Sequence, residues 1–327
     1  MKEYQIKVYD MLWVYKSTIN PLLIKTAISF SMNINWWQGE IKIWVNKKIT
    51  DTDYKFSDMI IITIFDKNNN GKQIYRWHIT RIKRIIDNKW EGIELTCLWS
   101  IAFMNRIFFR SSWWNLTFSQ NILPSQTMKD VIDRFNTNYN YFTYAKIINY
   151  VNNINISFDY SKSWEALNII SKSTPLRYYY VDSIWDVTYR AKNDVLVNHR
   201  VKIDNEVDYF VSNEEIETLS NKIYINKTWS PFIDTASISE YWRIEANINW
   251  QGDGNDYLQA KKDYKKEIKL IINSKYNIES IEPWHHITLL NADYTIQPLQ
   301  VMRVDYSYNQ VKLDLEKYST LAETILS

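Results

Sequence analysis

The hydrophobic and polar positions in the first part of the chain follow the pattern of β-strands. Stretches of strand length that are rich in β-branched residues lie at 39–46, 58–66 and 91–100. Asn, Asp and Gly residues separate them, as expected of turns between strands. β-branched side chains fit a pleated and partly buried surface well. We therefore predict a first β-barrel-like module at residues 1–114.

A helical period replaces this pattern in the middle of the chain. Met128, Val131, Ile132 and Phe135 are spaced i, i+3, i+4 and i+7, which predicts one apolar face of an α-helix. The other elements predicted here are a strand, a short helix and a hairpin, at 153–160, 161–175 and 176–192. Together these elements predict an α+β insert at 115–200.

Strand patterns return in the last part of the chain, interrupted by one predicted helix. Within 256–274, the residues that share one face of the predicted helix are Tyr257, Tyr264, Ile268 and Ile271, and the lysines form a solvated face. We therefore predict a second β module at 201–327 with one helix near 256–274.

Two parts of the chain have similar patterns. Residues 79–104 and 302–323 each contain a basic strand, a short turn, a second strand and a helix-like tail. Such a repeat is most simply explained by two similar β modules on either side of a different insert. The predicted fold class is α+β, mainly β, with two related β-barrel-like modules and an α+β insert between them.

The composition changes this picture in one respect, because the chain contains 15 Trp and only 5 Gly. Average glycine usage of about 7% predicts roughly 23 glycines in a chain of this length. Many tryptophans occupy apparent turns, where glycine is favoured because it tolerates positive φ. Trp284 directly follows Pro283, and Pro-Gly is the usual turn dipeptide. The predicted glycine-like turn positions are Trp36, Trp37, Trp113, Trp114, Trp185, Trp229, Trp242, Trp250 and Trp284.

Three explanations of these tryptophans are open. In the first, the source translates the codon UGA as glycine, and the printed sequence shows tryptophan instead. In the second, the tryptophans form an aromatic surface for sugars or a membrane interface, and they would cluster on one face. In the third, they are ordinary core residues at the apolar phases of strands and helices. Only the first explanation predicts tryptophan doublets in polar turns and a Pro-Trp dipeptide.

Charge and cysteine content exclude several classes of protein. The chain carries 39 basic and 37 acidic residues, so its net charge of +2 gives no electrostatic reason to expect nucleic-acid binding. The single cysteine, Cys97, excludes a disulfide framework and a cysteine-based zinc site. No apolar run approaches the roughly 20 residues of a membrane span, and the N-terminus lacks the apolar region of a signal peptide. We expect a protein that is made and folds in a cytoplasm.

No recognisable catalytic, metal or cofactor site is present in the sequence. His285 and His286 are adjacent, so on a strand they would face opposite sides and not share a metal. Motifs of zinc peptidases, serine hydrolases and phosphate-binding loops are absent. We therefore predict a protein that is not an enzyme and holds no cofactor or metal. A hydrolase with a site scattered over loops, for example at Asp253 and His286, is kept as an alternative.

With glycine in place of tryptophan at the turn sites, the surrounding motifs resemble those of a known family. The stretches become FSMNIN-GG-QGEIKI at Trp36 and Trp37, YYYVDSI-G-DVTYRAK at Trp185, SISEY-G-RIEANI at Trp242 and IEP-G-HHITLLN at Trp284. Their order resembles the hub or tail-tip proteins of long-tailed bacteriophages, which include baseplate hubs and the N-terminal part of tail-associated lysins. The resemblance spans about residues 15–320 and is carried by turns and patterns rather than by catalytic signatures.

The resemblance implies a structural virion protein located in the phage tail. Three copies would form a homotrimer whose six barrel-like modules offer pseudo-sixfold symmetry to the hexameric tail tube. The subunit would cap the tube, contact the tail tube protein and other tail-tip proteins, and carry tip or receptor-binding components. Because 327 residues leave no room for a peptidoglycan-cleaving domain, we expect an adaptor rather than a lysin. The alternatives are a carbohydrate-binding module with an aromatic surface and a cell-wall hydrolase with a site on its loops.

Overall fold

A computed structural model of the chain describes residues 3–317 except 21, 23, 25–28, 34–39, 49–52, 66–69, 88–89, 100–103, 112–114, 183, 193, 196, 216–218, 227, 251, 264, 292–294 and 308–309. Among these residues strands outnumber helices by a wide margin. Buried apolar side chains from the two large sheets and from the middle of the chain belong to one continuous core. The predicted fold class, α+β and mainly β, is confirmed.

The first module contains one large antiparallel sheet. Its strands, with one that pairs elsewhere, are β1 (Glu3–Tyr9), β2 (Tyr15–Ile19), β3 (Phe30–Asn33), β4 (Glu40–Val45), β5 (Met59–Phe65), β6 (Gly71–Asp87) and β7 (Trp90–Trp99). The sheet order is β2-β1-β5-β6-β7-β4. In β5, Ile60, Ile62 and Ile64 are buried while the residues between them are partly exposed. This period of two explains why the stretch forms a strand with one face towards the core.

The middle of the chain forms the two predicted helices, the predicted strand and the predicted hairpin, and it contains two further strands that were not predicted. Its elements are β8 (Thr117–Ile122), α1 (Pro124–Tyr139), β9 (Thr143–Ile147), β10 (Ile154–Asp159), α2 (Ser163–Lys172), β11 (Arg177–Val181) and β12 (Asp186–Ala191). The sheets are β10-β8 and β11-β12-β9. The predicted apolar face of α1 is fully buried at Met128, Val131, Ile132 and Phe135. The i, i+3, i+4, i+7 spacing therefore identified a core-facing helix correctly.

The last part of the chain forms the second large sheet and a small one. Its elements are β13 (Asn198–Lys202), α3 (Ile203–Glu206), β14 (Val207–Glu215), β15 (Lys222–Ile225), β16 (Phe232–Ile233), α4 (Thr235–Tyr241), β17 (Glu245–Ile248), α5 (Gly254–Lys261), β18 (Lys265–Asn273), β19 (His286–Leu290), β20 (Thr295–Ser307) and β21 (Gln310–Glu316). The large sheet has the order β13-β19-β20-β21-β18-β14, with β3 paired to β20, and the small sheet is β16-β15-β17.

The predicted helix near 256–274 is wrong in its second half. The helix α5 ends at Lys261, and residues Lys265–Asn273 form strand β18. Ile268, Leu270 and Ile272 are all fully buried. The period of two therefore overrides the helical spacing, because β18 lies between β14 and β21 and pairs with both.

The two large sheets share one cyclic strand order. Setting aside β3 and the small sheet, each module contributes six strands, ranked first to sixth along the chain. In both sheets the first, fourth, fifth, sixth and third strands are neighbours in that order. These strands are β1-β5-β6-β7-β4 in the first module and β13-β19-β20-β21-β18 in the second. The second strand lies beside the first in one module, as β2, and beside the third in the other, as β14. The modules also differ in direction, since β1 is antiparallel to β5 whereas β13 is parallel to β19.

This shared order confirms that two related modules flank the insert. The hairpins β6-β7 and β20-β21, which contain the paired strands of the sequence repeat, occupy corresponding positions in the two sheets. The predicted helix-like tails of the repeat lie mostly outside the described residues. Strand β3 belongs to the first module along the chain but pairs with β20 of the second. The division of the chain at residues 114 and 200 stays a prediction.

Candidate functional site: tryptophan turns and an exposed apolar tip

A tight turn at 182–186, here called the buried turn, joins β11 to β12 and places Trp185 in the left-handed region. Trp185 has φ 69°, and its N–H donates to the carbonyl oxygen of Asp182 at 3.0 Å. The Asp182 carboxylate oxygen Oδ1 accepts the N–H groups of Ile184 and Asp186, each at 2.9 Å. In hairpin loops of this length the left-handed position is normally occupied by glycine. The positive φ expected from the sequence is present at Trp185.

A second turn at 10–14, the exposed turn, joins β1 to β2 with the same hydrogen bonds. The N–H of Trp13 donates to the carbonyl oxygen of Asp10 at 3.1 Å, and Asp10 Oδ1 accepts from Leu12 N–H at 2.8 Å and Val14 N–H at 2.9 Å. Trp13 has φ 66°. Trp13 is not among the predicted turn positions, although both turns have Asp followed three residues later by Trp, as DMLW and DSIW.

The tryptophans of the two turns contact each other. The rings of Trp13 and Trp185 lie 5.3 Å apart in an edge-to-face arrangement. The Arg76 guanidinium lies 4.8 Å from the Trp13 ring and 5.4 Å from the Trp185 ring. The His78 ring stacks on Trp185 at 5.5 Å, and burial lowers the pKa of His78 to about 4. The two turns therefore share one cluster of aromatic and basic side chains on β6.

The buried turn is also tied to β9 through its carboxylates. Lys146 Nζ lies 2.6 Å from Asp182 Oδ2 and 3.6 Å from Asp186 Oδ2. Burial opposes the ammonium charge, but the hydrogen bond and charge of Asp182 outweigh it and raise the pKa of Lys146. The Thr143 hydroxyl donates to Asp186 Oδ1 at 2.8 Å. These contacts surround Trp185, which is only 1% exposed.

Trp242 and Trp284 also have positive φ, each in a different kind of turn. Trp242 follows helix α4 with φ 65° and ψ 176°, a backbone region that is essentially restricted to glycine. Trp284 has φ 79° and follows Pro283 in a turn closed by the His285 N–H, which donates to the Glu282 carbonyl oxygen at 3.2 Å. A proline followed by a residue with positive φ is typical of a type II turn, which favours glycine as its second central residue.

Two further predicted turn positions, Trp229 and Trp250, have no such backbone. Trp229 and Trp250 are described, and neither is among the residues with positive φ. Trp229 is almost fully exposed, whereas the Trp250 indole N–H donates to the Asp253 carbonyl oxygen at 3.2 Å. A glycine-like role for both stays a prediction without steric support. Trp36, Trp37, Trp113 and Trp114 lie outside the described residues.

Two of the four histidines, His199 and His285, contact each other in the interior. His199 Nε2 and His285 Nδ1 are 2.9 Å apart, and His199 Nδ1 is 2.9 Å from the Tyr276 hydroxyl. His286 has a different neighbour, since its Nε2 lies 3.2 Å from the Lys192 carbonyl oxygen. Burial lowers the pKa of His199 to about 4 and that of His285 to about 3. These rings are therefore neutral at physiological pH and serve the packing of the second module.

The residues named for the alternative hydrolase have structural contacts. Asp253 caps helix α5 by accepting the Asn255 N–H at 2.8 Å, and His286 is fully buried in β19. Among the described residues, no three His, Cys, Asp or Glu side chains are grouped as metal ligands would be. Nor is any helix in that part of the chain long and apolar enough to cross a bilayer.

An exposed apolar segment, here called the apolar tip, surrounds Trp13. It consists of five consecutive residues that are 40–81% exposed: Met11, Leu12, Trp13, Val14 and Tyr15. Strand β14, at the end of the second large sheet, also exposes Tyr209 and Val211. Contiguous exposed apolar surface is uncommon on proteins that act alone and marks interaction sites. The apolar tip is the strongest candidate docking surface in the described structure.

Comparison with known proteins finds the same fold in phage tails. No family model and no curated protein matches the sequence. A 43 kDa tail protein of prophage MuSo2 from Shewanella oneidensis superposes with a TM-score of 0.66 at 8% identity, over 96% of this chain and 98% of that one. A tail protein from Neisseria meningitidis MC58 gives 0.64 at 7% identity, over 96% of each chain.

The chain shares the fold of phage tail proteins. A component of the E. coli type VI secretion system, described as similar to the T4 tail proteins gp27 and gp5, also matches, with a TM-score of 0.54 at 10% identity over 90% of this chain and 73% of that one. The resemblance to tail hub and tail-tip proteins is thereby confirmed at the level of fold. Because the match to the tail proteins covers almost the full length of both chains, it includes both modules and the insert.

Proposed function

We propose that this protein is a structural, non-enzymatic subunit of a phage tail tip, located in the virion. It assembles as a homotrimer, caps the tail tube, and docks tip or receptor-binding components. The observation that carries the proposal is the two-way match to phage tail proteins over 96% of this chain and 96–98% of theirs. Nearly all of the described fold is therefore accounted for by the architecture of tail proteins.

The internal relation between the two large sheets supports a trimer. Each chain contributes two modules with one cyclic strand order. Three copies around one axis present six related modules, which is the number that a hexameric tube requires at its end. Closed cyclic symmetry is also the usual arrangement of identical subunits.

The exposed side chains of the apolar tip support the proposal that this surface is buried when the protein assembles. Leu12 is 81% exposed and Val14 is 58% exposed in the single chain. Permanent assemblies bury more than about 2,000 Å² and their interfaces are more hydrophobic than the remaining surface. A subunit contact or a contact to another tail protein would remove these side chains from water.

Sedimentation velocity at micromolar concentration tests the assembly. We expect a trimer, and a monomer throughout the concentration range would contradict the proposal. Leu12→Glu tests the apolar tip, with Ile86→Glu as the matched control because Ile86 is also an exposed apolar residue. We expect Leu12→Glu to dissociate the trimer at higher concentrations than the control does. Purified tail tubes incubated with the protein should show added density at one end in negative-stain electron micrographs.

A further inference from the structure

Four tryptophans of this chain have the backbone conformation of glycine. Trp13, Trp185, Trp242 and Trp284 have φ between 65° and 79°, whereas none of the described glycines has positive φ. Left-handed backbone brings Cβ of an L-residue too close to the neighbouring carbonyl oxygen, so only glycine adopts it routinely. The usual distribution of the two residue types is therefore inverted in this protein.

Each of the four positions is a recognised glycine position for its own reason. In the exposed and buried turns, the residue three after Asp is the left-handed residue that completes a hairpin loop. Trp284 is the second central residue of a turn that begins with proline. Trp242 has φ 65° and ψ 176°, which even asparagine rarely adopts. Three independent kinds of turn therefore require the same residue.

The surroundings of the indoles give tryptophan an incomplete fit at three of the four positions. Trp242 is 85% exposed, so burial does not offset its backbone strain. The indole nitrogens of Trp185 and Trp284 are buried without a hydrogen-bond partner among the described residues. A buried tryptophan normally finds an acceptor for its N–H. Burial therefore does not account for tryptophan at position 242, and at positions 185 and 284 the packed indole leaves its N–H unsatisfied.

We infer that the polypeptide made by the natural source carries glycine at positions 13, 185, 242 and 284. The message would contain UGA at these positions, and the source would translate that codon as glycine. The inference is independent of the proposed tail function, because it rests on local backbone geometry alone. It also adds position 13, where the sequence pattern around the turn is apolar and gave no indication of glycine.

Peptide mapping by tandem mass spectrometry tests the inference on protein isolated from its natural source. We expect glycine in the peptides that cover all four positions, and UGA at the four codons of the gene. A recombinant chain translated with tryptophan codons calibrates the detection of tryptophan in the same peptides. Tryptophan in the native peptides, or UGG at these codons, would overturn the inference.

A second measurement tests the backbone requirement at the most exposed of the four positions. We expect Trp242→Gly to raise the melting temperature of the recombinant tryptophan chain by a few degrees. Trp242→Ala removes the same indole but keeps a Cβ, so it should give little or none of this gain. Equal melting temperatures for the glycine and alanine variants would show that position 242 does not need glycine, and would count against the inference.

Discussion

The exposed turn and the buried turn have the same backbone and different surroundings. In both, an Asp carboxylate accepts two backbone N–H groups, and a tryptophan three residues later has φ of 66° or 69°. Trp13 is 40% exposed, whereas Trp185 is 1% exposed. Asp182 additionally pairs with Lys146 at 2.6 Å.

The two turns need the same types of residue for their backbone geometry, but they should contribute differently to the stability of the protein. Both turns require an acceptor at the first position and a left-handed residue at the fourth, because the hairpin geometry is the same. Their contributions to stability should differ, because water can replace the Asp10 carboxylate at the surface but cannot easily reach the buried hydrogen bond from the Asp186 N–H to Asp182. An unsatisfied donor costs much more in the interior than at the surface.

Asp182→Ala should have the largest effect. The substitution leaves the N–H groups of Ile184 and Asp186 without their acceptor and Lys146 without its closest carboxylate. We expect a loss of about 2–4 kcal/mol in the free energy of unfolding, measured by urea denaturation followed by circular dichroism. Asp182→Asn keeps an acceptor oxygen and should lose clearly less. Equal losses for the two variants would show that the ion pair, not the turn, carries the stability.

Acid should weaken the buried turn through His78. The pKa of His78 is about 4 in the folded protein, below its ordinary value of 6.5, because of burial. Between these values the unfolded chain binds a proton that the folded chain does not, so stability falls as the pH decreases. We expect His78 alone to account for a loss of about 1–2 kcal/mol between pH 7 and pH 5.

The variant His78→Phe isolates this contribution from that of other histidines. His199 and His285 also have lowered pKa values, so the parent protein loses stability in acid through them as well. Melting temperatures measured from pH 7 to pH 5 should decrease less steeply in His78→Phe than in the parent. Parallel curves would mean that His78 is protonated equally easily in the folded and unfolded states.

Asp10→Ala should have the smallest effect. The turn hydrogen bonds of Asp10 are exposed, so water replaces the lost acceptor, and we expect a loss of about 0.5–1 kcal/mol. Asp10→Asn should match the parent within error. A loss as large as that of Asp182→Ala, measured in the same urea titration, would refute the conclusion that burial distinguishes the two turns.

Local periodicity predicted most helices and strands, and it failed where two periods compete. The helix α1 was identified from Met128, Val131, Ile132 and Phe135, since its apolar spacing has no strand alternative. At Lys265–Asn273 the apolar residues satisfy a helical face and an alternating strand equally well. Only the pairing of β18 with β14 and β21 decides between them, and that pairing involves residues up to 65 positions away, as between Val207 and Ile272.

Local sequence patterns also identified only some of the turn residues with positive φ. Trp185, Trp242 and Trp284 were recognised because their neighbours are typical turn residues or strand ends, and the structure gives all three positive φ. Trp13 was missed because Met11, Leu12 and Val14 made its surroundings apolar. Trp229 and Trp250 have turn-like neighbours but ordinary φ, since a polar connection can be made without a left-handed residue.

The sequence by itself determined the β-rich class, the positions of α1 and α2, and the residues on which several turns reverse, because these depend on neighbours within a few positions. Only the tertiary structure decided the shared cyclic order of the two large sheets, the strand β18, and the burial of one Asp turn but not the other. Those features arise from pairing and packing between distant segments, whose free energy is not encoded in any short stretch of the chain.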